Sequence, residues 1–294
     1  MIKIGHSAFR RCSSLTNIDL RNAEIIGNYA FEQCTSLLSL NKFTKDVEIN
    51  YGSFEHCEKL SNVNIDKCKK LSPYSFAYCY NLTNGIEKIK LHDEITEIPQ
   101  DCFVEIQQTN KLELDINNAS TVGGSAFNKA KNVHIINPKK TLLSIGSNAF
   151  QDIANIDVDF QKVQKIGRYA IGKTKTSNKN IVFKDLRSMD DSAFDNNEFI
   201  NSIDFTDSKL TKIPNYSFSG CKNLTTVKLG NLTTEIGDSA FYNCKSLNDF
   251  NFSKILKIGD STFTNCGFTE INLSNVQTIG RSAFERCAEL KKVT

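Results

Sequence analysis

Apolar residues recur along the chain in two alternating patterns. Short stretches place them at every second position: Ile18-Asp19-Leu20, Val63-Asn64-Ile65, Val227-Lys228-Leu229, Phe250-Asn251-Phe252 and Ile271-Asn272-Leu273. This period of two predicts strands with one buried face. Between them runs a second phrase, "IGDSAFYNCKSL" at 236–247, with near copies "IGRSAFERCAEL" at 279–290 and "IGHSAFRRCSSL" at 4–15. Ala and Cys stand four apart in it, Phe and Cys three apart, a spacing that predicts one face of a short helical turn. The glycine ahead of it suits a tight turn. The Ser, Asp or Asn that commonly follows suits a helix start.

Aligned on the phenylalanine, the phrase recurs at Phe9, Phe31, Phe54, Phe76, Phe103, Phe127, Phe150, Ile171, Phe194, Phe218, Phe241, Phe263 and Phe284, in steps of 21 to 27 residues. Thirteen units of strand plus turn at that period predict an α/β solenoid of the leucine-rich-repeat form. Parallel strands line its concave face and short helical turns its convex side. No unit buries its apolar face alone, so each is stabilised by its neighbours. A rise of ~4.8 Å per coil predicts a curved body on the order of 60 Å long. The pattern weakens over about 85–205, where Ile106, Ala130, Ile153, Thr174 and Asn197 replace the cysteine, while "LELDI", "VHI", "IDVDF" and "IVF" keep the strand half. Residues 1–294 are therefore read as one solenoid with irregular central coils. It opens inside a turn and stops inside a strand, so terminal caps are expected to be missing and end-to-end self-association is an expectation.

The consensus "IGxxAFxxCxxLxxIxL" resembles the repeat of the BspA-type leucine-rich-repeat family. The resemblance is best at 1–84 and 210–294. It implies a leucine-rich-repeat horseshoe acting as a non-enzymatic surface antigen or adhesion module. Its partner would be a protein or an extracellular-matrix component, and its place the cell surface. A second reading stays open from the residues themselves. The first residues, "MIKIGHSAFRRC", lack the apolar stretch of a signal peptide, which points to an intracellular scaffold or adaptor in the cytoplasm.

Charge adds little to this picture. With 36 Lys and Arg against 33 Asp and Glu, the net charge of +3 excludes a large field for nucleic acid. No apolar run approaches the ~20 residues of a membrane span. Eight of the ten cysteines sit three residues after an anchor (Cys12, Cys34, Cys57, Cys79, Cys221, Cys244, Cys266 and Cys287), with Cys68 and Cys102 out of register. One cysteine per repeat is not metal-ligand spacing. The column reads as free thiols filling a small apolar slot. The four histidines fall at unrelated repeat positions, no phosphate-binding loop or HExxH helix occurs, and neither catalysis nor a cofactor is expected.

Binding is expected on the outward positions of the strands. If Ile18 and Leu20 point in, the same parity selects Asp19, Asn64, Lys90, Glu113, Asp115, His134, Asp157, Asp159, Asp204, Lys228, Asn251 and Asn272 as the candidate partner-binding face. That strip is polar, acidic near its middle and poor in the Tyr, Trp and Arg that dominate binding energetics. Tyr29, Tyr74, Tyr78, Tyr80, Tyr216 and Tyr242 fall in the turn half instead. They are read as covering core edges, with Tyr74, Tyr78 and Tyr80 as a second contact patch.

Overall fold

The computed structural model describes residues 2–61, 63, 65–82, 86–137 and 139–294, with only the backbone of 108–110. The chain divides into two compact units, one of residues 1–142 and 148–158, the other of residues 143–147 and 159–294.

Each coil contributes a strand on either side of its turn run. In the first unit, Lys88–Lys90, Gln107–Asp115, Lys131–Ile136 and Asn155–Asp157 form one parallel sheet. Ile2–Ile4, Ala23–Ile26, Val47–Ile49 and Cys68–Lys70 form another. In the second unit, Asn180–Val182, Ser202–Asp204, Thr226–Lys228 and Asp249–Phe250 line one face, and Lys212–Ile213, Glu235–Ile236, Lys257–Ile258 and Thr278–Ile279 line the next. Equivalent positions pair between coils: Leu114 with Ile135 and Ile135 with Ile156, or Ile181 with Ile203 and Ile203 with Val227. The second strand belongs to the "IG" of the repeated phrase. An apolar residue stands five positions before all thirteen anchors, from Ile4 to Ile279.

Between the two strands the expected helical turn is absent. No helix forms among the described residues. Around Phe31, Ala30, Glu32 and Cys34 donate their N–H to the carbonyls three residues back, at 3.1, 3.2 and 3.1 Å. The alternate residues Tyr29, Phe31 and Gln33 donate sideways to Tyr51, Ser53 and Glu55 of the next coil, each at 2.8 Å. A helix needs bonds four residues back, and six residues are too few to nucleate one. A ribbon of turns satisfies every second N–H against a neighbouring coil instead. The three-residue spacing of Phe and Cys serves both geometries, which is why the sequence pattern did not separate them. The residues two before and two after each anchor hold positive φ in all thirteen coils, among them Tyr29 (55°) and Gln33 (59°). Such residues interrupt a right-handed helix.

The glycine of the phrase also acts differently from expectation. At Gly27 φ is not positive. A Cβ there would stand 2.7 Å from the Ile4 carbonyl oxygen and 2.8 Å from the Gly5 carbonyl carbon of the preceding coil. Close stacking of backbones, not turn conformation, requires it. The polar residue that follows caps a neighbouring coil and not its own helix. Asn215 accepts the N–H of Asp238 at 2.9 Å, Asp238 that of Asp260 at 2.9 Å, and Asp260 that of Arg281 at 2.7 Å.

The core is a ladder of anchor rings. Phe9, Phe31, Phe54, Phe76, Phe103, Phe127 and Phe150 stack in the first unit with centroids 5.1–5.9 Å apart and planes within 9°. Phe194, Phe218, Phe241, Phe263 and Phe284 repeat this in the second at 5.2–5.4 Å. Each fully buried ring contributes about 1.5–3 kcal/mol over exposure. The cysteines line the same core. Cys34, Cys57 and Cys79 donate their thiols to the carbonyls of Phe9, Phe31 and Phe54 at 3.0–3.1 Å. Cys221, Cys244, Cys266 and Cys287 do the same to Phe194, Phe218, Phe241 and Phe263 at 3.1–3.2 Å. Where Asn197 replaces the cysteine, its amide reaches the Ile171 carbonyl at 2.8 Å.

Candidate binding face

Strand pairing turns the outward residues into rows. In the first unit, Lys88, Glu113, His134 and Asn155 stand in register, and beside them Lys90, Asp115, Ile136 and Asp157. The Lys88 ammonium meets the Glu113 carboxylate at 2.7 Å and holds it below the usual carboxylate range. Lys90 is exposed and pairs with Asp93 at 3.3 Å. His134 is half-buried between Glu113 and Asn155, and neither ring nitrogen finds a hydrogen-bond partner among the described residues. Burial, then Lys111, lower its pKa, against the opposing pull of Asp157 and Glu113. Asp157 is exposed.

In the second unit the row is Val182, Asp204 and Lys228, with Lys228 and Asp204 3.7 Å apart. Burial would raise the Asp204 pKa, but hydrogen bonds from Thr206 outweigh it and the carboxyl is lowered. Lys228, Asn251, Asn231, Ser253 and Lys254 surround a polar recess at the end of these strands.

Half of the expected face carries a structural duty that period-two parity does not reveal. Asp19, Asp115, Asp159, Asp204, Asn251 and Asn272 each accept, through a side-chain oxygen, the N–H two residues on. These bonds close Asx turns where the chain leaves the strand. Asp115 is buried at 9% exposure. Asp19 is also bound by the Arg21 guanidinium at 2.8 Å, which holds its carboxyl far below the usual range. Lys90, Glu113, His134, Asp157 and Lys228 have no such turn to close. Asn64 lies outside the described residues. An Asp or Asn followed by one apolar and one polar residue marks these six, but Asp157-Val158-Asp159 has the same pattern, so the sequence does not single out the Asx role.

The BspA type Leucine rich repeat region (6 copies) matches residues 2–85, 83–201 and 164–291. The chain belongs to the BspA-type leucine-rich-repeat family. No curated protein matches it in sequence. Among solved structures, this BspA-type chain is similar to a leucine-rich repeat protein from Bacteroides ovatus ATCC 8483. Identity there is 24% and the TM-score 0.66, with 100% of this chain and 82% of that one covered. It is also similar to a leucine rich cell surface protein from Faecalibacterium prausnitzii A2-165, at 19% identity and a TM-score of 0.53, covering 99% and 82%. At these identities the likeness establishes the fold, a solenoid of parallel strands. The BspA-type family supports a protein-interaction role. Among the described residues no helix is long and apolar enough to cross a membrane, and no group of three or more His, Cys, Asp or Glu is placed to hold a metal ion.

Proposed function

We propose that this BspA-type chain is a non-enzymatic interaction module of the adhesion or surface-antigen kind, meeting a protein or matrix partner on its strand-lined face. The observation that carries the reading is the register of that face in the first unit. Behind it the apolar positions repeat from coil to coil. On it Lys88, Glu113, His134 and Asp157 differ from coil to coil and are brought to fixed spacing. Similarity to a bacterial protein described as a cell surface protein supports the surface placement. Such a face, without clustered aromatics, suits a partner recognised by charge pattern, with steep salt dependence. The test is quantitative capture from matrix and cell-surface extracts with wild type and a Lys90→Glu, Asp157→Lys variant. Loss of specific partners in the variant supports the reading; unchanged capture removes the strand face from it. Antibody labelling of intact cells tests the compartment, a surface protein being stained without permeabilisation.

A further inference from the structure

The turn side of the first unit carries what the strand face lacks. Tyr29, Tyr51 and Tyr74 form a row across three coils, with ring centroids 5.3 and 5.4 Å apart. Tyr51 is 37% exposed, and burial, then the neighbouring Tyr29, push its pKa up. At the far end the neighbouring Asp101 and, after it, burial push the Tyr74 pKa up to about 12.

Packing does not demand these rings. Tyr29 and Tyr74 occupy the position two before the anchor, at φ of 55° and 60°. Six other coils fill the same slot with serine, for example Ser125, Ser239 and Ser261. The middle coil is more telling. A side chain at residue 52 would meet the Tyr29 ring at 2.9 Å, so Gly52 takes the left-handed position and the ring comes from residue 51 instead. The residue that supplies the ring shifts by one, and the row is kept.

The row is edged with carboxylates. Glu55 Oε2 lies 3.2 Å from where a Gly52 Cβ would stand, beside the Tyr29 ring. Burial, then Glu32, push the Glu55 pKa up. At the other end the protein's own Arg10 shows how a cation sits here: its guanidinium lies 5.5 Å from the Tyr29 ring centre and pairs with Glu32 at 2.5 Å. Glu55 has no such ion pair among the described residues.

We propose that Tyr51 and Tyr74, with Glu55 and Asp101, form a second binding surface that takes the arginine or lysine side chains of a basic peptide segment, stacking them as Arg10 stacks on Tyr29. Cation–π contact and a carboxylate together select a guanidinium or ammonium over a neutral group. The surface is formed by the turn run and shares no residue with the strand-lined face.

The test uses the full chain and a capped octapeptide of alternating arginine and glycine, with the citrulline peptide as its neutral match. The arginine peptide is expected to bind at least about tenfold more tightly than its citrulline counterpart. Tyr51→Ser with Tyr74→Ser is expected to lower affinity about tenfold, and Glu55→Gln about threefold. Tyr51→Phe with Tyr74→Phe keeps the rings and retains binding. Lys90→Glu with Asp157→Lys leaves it unchanged. Matching far-UV circular dichroism and melting curves check that each variant is folded. Equal binding of the two peptides, undiminished binding by the serine variant, no binding by wild type at millimolar peptide, or preference for a neutral oligosaccharide would each overturn the proposal.

Discussion

At the scale of single residues, the recurring cysteine is a hydrogen-bonded core residue. Seven of the eight repeat cysteines donate to the anchor carbonyl of the preceding coil. Burial pushes the thiol pKa of Cys34 up to about 11 and raises that of Cys57 well above the usual thiol value. A thiol reagent needs the thiolate and access to it. Cys12 alone of the ten cysteines is exposed, so labelling of native protein at pH 8 is expected to stop near one equivalent and to reach ten on unfolding. Rapid native labelling of several thiols would contradict the buried column. Cys57→Ala removes the bond to Phe31 and opens a small gap. Urea unfolding is expected to show a loss of about 1–2 kcal/mol.

At the scale of the coil, stability depends on how closely neighbouring backbones approach, and two glycines of the same phrase separate this cause from turn conformation. Gly27→Ala places a methyl 2.7 Å from the Ile4 carbonyl, whereas Gly5→Ala meets nothing within 4 Å. The first substitution is expected to cost about 1–3 kcal/mol in urea unfolding and the second under about 0.5. Equal effects would mean that the glycine serves the turn after all. This coil was only partly legible in the sequence. Periodicity disclosed the anchors, the strands that carry Ile203 and Val227, and the solenoid. It did not disclose the two-residue strands such as Glu235–Ile236, because two residues show no alternation. Nor did it distinguish turn from helix, because the cue that does so is the positive φ at positions such as Tyr29 and Gln33, where the side chains are not glycine. On the strand face, parity placed Lys90 and Asp157 on the exposed side. It had no means of telling them from Asp204 and Asn251, whose oxygens are already committed to turns.

At the scale of the molecule, the buried thiols and the Tyr74 hydroxyl set the response to alkali. Their folded pKa values are raised, so the folded chain keeps protons that the unfolded chain releases. Their contribution to stability is therefore complete below the unfolded thiol value of about 8.5. It is lost as pH rises through about 11 for Cys34 and about 12 for Tyr74. Melting temperature is expected to fall steadily between pH 8.5 and 12, and replacing Tyr74 with Phe is expected to flatten the upper part of that fall. The same repetition that builds this core frees the strand-face side chains to vary, and the account stands on their being the part that meets a partner. The most direct test is partner capture by the wild-type chain beside the Lys90→Glu, Asp157→Lys variant, with melting curves checking that both are folded. The specific partners of the wild type are expected to disappear from the variant. Identical partners, retained with equal affinity, would contradict this.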